Sequence, residues 1–407
     1  MLNKKVTSSL LVIAAVFAAN SSASAQDKTA KIGVLNDQSG LYADITGQGS
    51  VLAAQMAVED SGLTAKGWKI DVLVGDHQNK PDVGVNIARQ WYDRDKLDVI
   101  VDVPTSSVGL AIANVVKEKN GVYLNSGSGT SDLSNAQCSP NTIHWAYDTY
   151  QLANGTGTAL TKAGGDTWFF LTADYAFGTA LERDTTNAVS AVGGKVVGSV
   201  RPPLNTPDFS SFLLQAQTSK AKVIGLANAG GDTINSIKQA SEFGIVKGGQ
   251  KLAGLLMFIT DIHSLGLPVA NGLNLTETFY WDLNDGTRAF SKRFQERAKN
   301  KAMPTTVQAG VYSSLIHYFK TVDAMGGNSH DGLKVVAKMK EMPTDDPIFG
   351  KGTIQPNGRK LHPAYLFEVK KPEESKGPWD YYKLVATIPA DQAFTPLEKS
   401  SCPLLKK

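Results

Sequence analysis

The chain has 407 residues, 42% hydrophobic and 19% charged, with a formal net charge of +3 and two cysteines. Single cores stop growing near ~250–300 residues, so at least two core units are expected, and ordinary apolar content with modest charge excludes disorder, coiled coil and a disulfide scaffold. No basic run or face suggests nucleic-acid binding, and two cysteines cannot build a closed zinc site unaided.

Lys4 and Lys5 precede an apolar stretch from Leu10 to Ala19, too short to span a bilayer, and Ala23-Ser24-Ala25 offers the small-x-small pattern of a signal-peptidase site. Residues 1–25 are therefore read as an export leader cleaved before Gln26, with a periplasmic product. In that oxidising compartment Cys138 and Cys402 form a candidate disulfide, which would pin the carboxyl tail back onto the first lobe.

After the leader, short apolar strands alternate with amphipathic helices. Strands are expected at Lys31–Asn36, Trp68–Val74, Leu97–Val103 and Val122–Asn125. Helices are expected over Val51–Asp60, across the Val83, Ile87 and Trp91 face, and over Val108–Lys119. The alternation resumes with strands at Thr167–Thr172, Lys195–Val200, Val223–Asn228 and Leu252–Phe258. Between them fall helices Phe177–Val192, Ser210–Thr218 and Asp232–Phe243, the last with Asp232 as N-cap. A strand at Thr276–Trp281 and helices at Arg288–Ala298, Val307–Ala324 and Leu333–Met342 follow, then an antiparallel ribbon of Tyr365–Val369 and Tyr381–Thr387. Strand–helix alternation means parallel sheets covered on both faces: an α/β protein of two doubly wound lobes.

The chemistry of an enzyme is missing from this pattern. There is no phosphate loop, nucleophile elbow, zinc-protease helix or dinucleotide fingerprint, and the six histidines show no i, i+3 or i, i+4 pair. The chain is read as a non-enzyme without cofactor or metal. What it has is two hydroxyl- and glycine-rich loops at strand ends, Pro104-Thr105-Ser106-Ser107 and Ser126-Gly127-Ser128-Gly129-Thr130-Ser131, suited to cradling an anion with N–H and O–H donors.

Five segments in register resemble the branched-chain amino-acid-type periplasmic binding proteins of ABC transporters. They are Lys31 to Gly47, Asp76 to Pro81, Asp102 to Ser107, Asn125 to Thr130, and Asp174 to Gly178. The resemblance implies a type I periplasmic-binding-protein clamshell whose lobes are crossed three times, near Trp145, Phe279 and Ile354. Lobe 1 would comprise 26–145 plus 280–354 and lobe 2 146–279 plus 355–390, with 391–407 as a tail. It further implies a ligand carboxylate held by Thr105 or Ser106 with Ser128 and Thr130, pocket walls from Tyr42 and Phe177, and second-lobe contributions from Asn228 and Phe258. Partners would be a small-molecule carboxylate and ABC permease subunits, with the protein a monomer.

One departure from the family is informative. Amino-acid-binding members carry an acidic residue after the fourth strand of the second lobe, to pair with the α-ammonium; here the aligned position falls on Met257 or Phe258, and Asp261 would need to be displaced inward. Burying an ammonium without a partner costs several kcal/mol, so the expected ligand is a carboxylate without an α-amine: an aromatic, keto or aliphatic acid. A true branched-chain amino-acid binder and a ligand-sensing module for a receptor are the alternatives.

Overall fold

The computed structural model describes residues 28–327 and 329–405; the expected leader and its cleavage point before Gln26 lie outside them. The first lobe is built on strands β1 (Thr29–Asn36), β2 (Lys69–Asp76), β3 (Val99–Asp102), β4 (Val122–Asn125) and β5 (Thr142–His144), all parallel in the order β2-β1-β3-β4-β5. Helices α1 (Gly47–Asp60), α2 (Pro81–Gln90) and α3 (Ser106–Lys119) make the crossovers. The inner strands β3 and β4 are buried along their whole length, as apolar runs covered on both faces must be.

The second lobe repeats the plan. Strands β6 (Thr167–Thr172), β7 (Lys195–Val200), β8 (Val223–Ala227) and β9 (Lys251–Gly254) are parallel in the order β7-β6-β8-β9. They are linked by α4 (Ala176–Ala191), α5 (Ser210–Thr218) and α6 (Gly231–Glu242). β9 ends at Gly254, so the apolar run to Phe258 is not strand throughout: Leu255–Phe258 lead into α7 (Ile259–Leu265). Asp232 is not the cap of α6 either. Gly230 holds that position at φ +56°, a conformation that favours glycine, while the Asp232 carboxylate accepts the N–H groups of Asn205 and Thr206.

The remaining chain serves both lobes. β10 (Asn274–Glu277) leads to α8 (Asp285–Arg297), α9 (Thr306–Ala324) and α10 (Gly332–Glu341), then the small antiparallel sheet β11 (Thr344–Asp346), β12 (Gly350–Ile354) and β13 (Lys360–Leu361). Phe290, Phe294, Leu315, Phe319, Val335 and Ile354 share the apolar cluster of Ile32, Val101 and Leu124, so this stretch completes the first lobe. The antiparallel sheet β10-β14-β15, with β14 (Ala364–Val369) and β15 (Tyr382–Ile388), sends Leu275, Phe367 and Tyr382 into the cluster of Leu171 and Leu226 and belongs with the second. Tyr280 packs there too, just past the boundary assigned from sequence.

Trp145, Phe279 and Ile354 lie in the first lobe's apolar cluster, whereas Tyr280 and Phe367, which follow the last two, lie in the second's. Arg359, 1% exposed, ties the Ile354–Lys360 stretch to the one at Trp145 by donating to the Trp145 carbonyl (2.6 Å) and the Tyr147 carbonyl (3.2 Å). Cys138 and Cys402 are disulfide-bonded with Cα atoms 5.5 Å apart, and Asn135 and Ser134 hydrogen-bond Thr395 and Ser400 of the same tail. Among the described residues no helix is long and apolar enough to cross a membrane.

Candidate functional site

In a doubly wound sheet the crevice opens where the strand order reverses, beyond the carboxyl ends of the strands. In the first lobe that point lies between β1 and β3, in the second between β6 and β8. The loops leaving these strands face each other. Tyr42 and Ile45 follow β1, Pro104 follows β3, and Gly127 follows β4. From the other side come Tyr175 and Phe177 after β6, Ala229 after β8, and Leu256 and Phe258 after β9, with Tyr147 beside them; in this arrangement they leave a free space of about 10 Å³ between them, about enough for one water.

The walls are predominantly aromatic. Tyr147 and Phe258 meet edge to face at 5.8 Å, and Tyr175 and Phe177 lie 6.0 Å apart. The Tyr147 hydroxyl donates to the Gly127 carbonyl at 2.6 Å, and the hydroxyls of Tyr42 and Tyr175 share a hydrogen bond of 2.6 Å between the lobes. Burial and neighbouring acidic groups hold the Tyr42 and Tyr147 phenols well above their ordinary range, so they remain neutral. No Asp, Glu, Lys or Arg side chain is among these lining residues.

Tyr42 is fixed from behind. The buried Asp37 carboxylate accepts the N–H of Gly40 (2.7 Å), the N–H of Tyr42 (2.8 Å) and the Asn79 side-chain amide (2.6 Å), and Asn79 in turn accepts from the Thr105 hydroxyl. Opposite, the Leu41 carbonyl would stand 2.8 Å from a Cβ at Gly230, and Leu41 Cδ1 the same distance from one at Gly231. The two glycines let the Tyr42 loop seat directly on the start of α6.

The structure divides the residues expected from sequence. Tyr42, Phe177 and Phe258 stand on the cleft walls. Thr105 is engaged with Asn79, as above. Ser106 accepts the Thr130 N–H at 3.2 Å through its hydroxyl oxygen, and the Thr130 hydroxyl accepts from Asp132 N–H as a helix cap. Ser128 turns inward beneath α3, donating to the Val103 carbonyl at 2.5 Å, so Gly127 rather than Ser128 lines the cleft. Asn228 is likewise internal, bonded to Thr233 and Ser236, and its neighbour Ala229 reaches the wall. Met257 is buried in the second lobe's core, and Asp261 accepts the Phe258 N–H at 2.9 Å behind the cleft wall.

Elsewhere the lobes meet through charge. Arg183 of α4 lies 3.0 Å from Asp132 of the first lobe and 2.9 Å from the Ser131 hydroxyl, while Asp184 accepts from that hydroxyl at 2.7 Å. Together with the tyrosine pair, these contacts mark the closed arrangement.

Two facing α/β lobes with a walled cleft between them define the architecture of a bilobal solute-binding protein. The chain belongs to the periplasmic binding protein family, matching it over residues 29–377. It is a solute-binding protein of the ABC-transporter class, and that family binds solutes rather than transforming them. A periplasmic binding protein from Burkholderia mallei is 53% identical, with a TM-score of 0.89 over 93% of this chain and 100% of that one. A branched chain amino acid ABC transporter periplasmic ligand-binding protein from Burkholderia xenovorans is 42% identical, with a TM-score of 0.81 over 93% and 100%. A solute-binding protein of an ABC transporter from R. palustris, in complex with benzoate, shares the fold at 21% identity and a TM-score of 0.81 over 92% and 99%.

Proposed function

We propose that this protein captures a small carboxylate lacking an α-amine, in the first instance an aromatic acid, and delivers it to the permease of an ABC importer by closing about its hinge. The observation that carries this reading is the cleft lining: five aromatic rings, Phe258 among them, with Leu256 beside it after β9, and no acidic side chain to receive an ammonium. A planar ring between Tyr42, Tyr147, Tyr175, Phe177 and Phe258 gains apolar burial and offset stacking.

The carboxylate is assigned to the first-lobe loops. The first intrahelical bond of α3 runs from Gly109 N–H to Thr105 O, so the N–H groups of Ser106 and Ser107 are free for an anion at the positive end of the helix dipole. Ser106 uses its hydroxyl oxygen as an acceptor, which leaves its proton for the ligand. The benzoate held by the R. palustris protein of the same fold agrees with this ligand class.

Calorimetry on refolded, ligand-stripped protein tests the reading. Benzoate, 4-hydroxybenzoate and a branched 2-oxo acid are titrated beside leucine, and at least one of the acids should bind at micromolar or tighter Kd. Leucine binding in that range with no heat from any of the acids would reject it in favour of a branched-chain amino-acid binder.

A further inference from the structure

Behind the first-lobe wall lies a carboxyl group that the solute-binding reading does not use. Asp102, the last residue of β3, is fully buried. Its Oδ2 accepts the Asn36 amide at 2.9 Å, but Oδ1 has no hydrogen-bond partner. That oxygen would stand 2.7 Å from a Cβ at Gly127, beside Pro104, and Gly127 and Pro104 both line the cleft. One residue's thickness thus separates an unpartnered carboxyl oxygen from the space in which the ligand's anionic end is assigned.

The backbone here is unusual as well. Asp102 has φ +80° and Val103 φ +56°, and a β-branched residue in the left-handed region is a strained arrangement that surrounding structure must impose. These two residues lead directly into Pro104, which lines the cleft, while the Asp102 carboxyl stays buried behind it.

We propose that Asp102 is a specificity-determining residue that takes up a proton from solvent as the cleft closes on a carboxylate, so that ligand capture is proton-coupled. An ionised Asp102 would place a second negative charge against the ligand's own, in a site from which closure removes water and where like charges repel most strongly. A protonated Asp102 removes that repulsion. Burial pushes the carboxyl up to about 7, against the lowering effect of the nearby Ser50 hydroxyl and of the Asn36 hydrogen bond.

The other titratable groups facing it do not supply the effect. Tyr123 of β4 and Tyr147 are buried phenols held far above neutrality, and His144, on β5 opposite Asn125, is kept neutral by burial and by the Arg359 charge. No Lys or Arg is hydrogen-bonded to the carboxyl, whose protein partners are neutral.

This inference rests on the carboxylate reading above, and its test separates the two. Benzoate Kd is measured from pH 5.5 to 8.5, a range in which benzoate itself stays ionised, in buffers of differing ionisation enthalpy. The wild type should hold a constant Kd at the acid end, weaken by up to about tenfold per pH unit above 7, and take up a proton on binding at pH 8. Asp102→Asn, whose amide mimics the protonated carboxyl, should give a flat profile and no proton uptake. A flat wild-type profile, or the same slope in Asp102→Asn, overturns the proposal while leaving the carboxylate reading intact.

Absence of benzoate binding at every pH counts against the carboxylate reading instead, and the proton is then read without ligand. In the wild-type minus Asp102→Asn infrared difference spectrum, where Glu277 and the other raised carboxyls cancel, a protonated-carboxyl band should persist to about pH 7. Loss of that band near pH 4, where an exposed carboxyl titrates, overturns the proposal on its own.

Discussion

The Tyr42 hydroxyl of the first lobe lies 2.6 Å from the Tyr175 hydroxyl of the second, the one a loop residue after β1 and the other the residue before α4. A hydrogen bond between rings on separate bodies can exist only when those bodies are together, so it stabilises closure selectively. Removing either hydroxyl should therefore act on the open–closed balance. Tyr42→Phe and Tyr175→Phe are each expected to weaken ligand binding by about 0.5–1.5 kcal/mol, and the double variant by no more than a single one, because both remove the same bond. Calorimetric Kd values and the radius of gyration with and without ligand check this.

Leu256 tests the ligand class directly. Leu256→Glu puts a carboxylate on the second-lobe wall, where an ammonium could find it. Benzoate affinity should fall more than about a hundredfold, since a buried unpaired charge costs several kcal/mol, while leucine should gain measurable binding. Side-by-side titration of both ligands reads the exchange.

Arg183 bridges to Asp132 with 45% of its side chain exposed, so its contribution is screened by solvent and salt. Arg183→Met should raise the open population and weaken binding by only a few-fold, with the difference from wild type shrinking as ionic strength rises. Scattering curves and Kd at two salt concentrations decide it.

Glu277 gives a pH signature away from the cleft. Its carboxyl accepts the Thr306 hydroxyl of the first lobe (2.6 Å) and the Tyr382 hydroxyl of the second (2.9 Å), and burial pushes it up to about 8. A carboxyl raised on folding contributes stability that is complete below its unfolded value and lost as pH rises through its folded value. Melting temperature should thus decline between about pH 4 and 8 from this source, and Glu277→Gln should flatten the decline.

The disulfide closes most of the chain into one loop. Cys402→Ser is expected to cost about 2–5 kcal/mol of stability, and reductant should lower the wild-type melting temperature without affecting the variant. Thermal melts with and without reductant show both.

The architecture was legible because parallel strands buried on both faces leave continuous apolar runs, and Ile32–Leu35, Ile100–Val101 and Val223–Leu226 carry that signal. The cleft-facing loops were legible as segments, from their place at strand ends. Their side-chain directions were not. Ser128 and Gly127 are adjacent and face opposite ways, so choosing the hydroxyl put the reading one residue out of phase. Asn228 and Ala229 repeat the same slip. Leu252–Phe258 reads as a single strand because apolar residues run through it, whereas the tertiary fold ends β9 at Gly254. The helical stretch from Thr149 to Lys162 escaped notice because Gly155, Gly157 and several threonines are weak helix formers, and packing rather than propensity holds it. Tyr147 and Leu256 carried no signal beyond ordinary core periodicity, and Tyr175 lay within the Asp174–Gly178 segment without being singled out as a wall.

The return of the tail to Cys138 has a bearing on how motion in this molecule could be watched. Lys28 leads into the first lobe's sheet, and residue 402 is anchored to that same lobe. A dye pair attached at these two places would travel as passengers on one body and stay silent through every opening and shutting. An optical reporter needs one dye moved to the far lobe, for instance on the exposed face of α5 around Leu214.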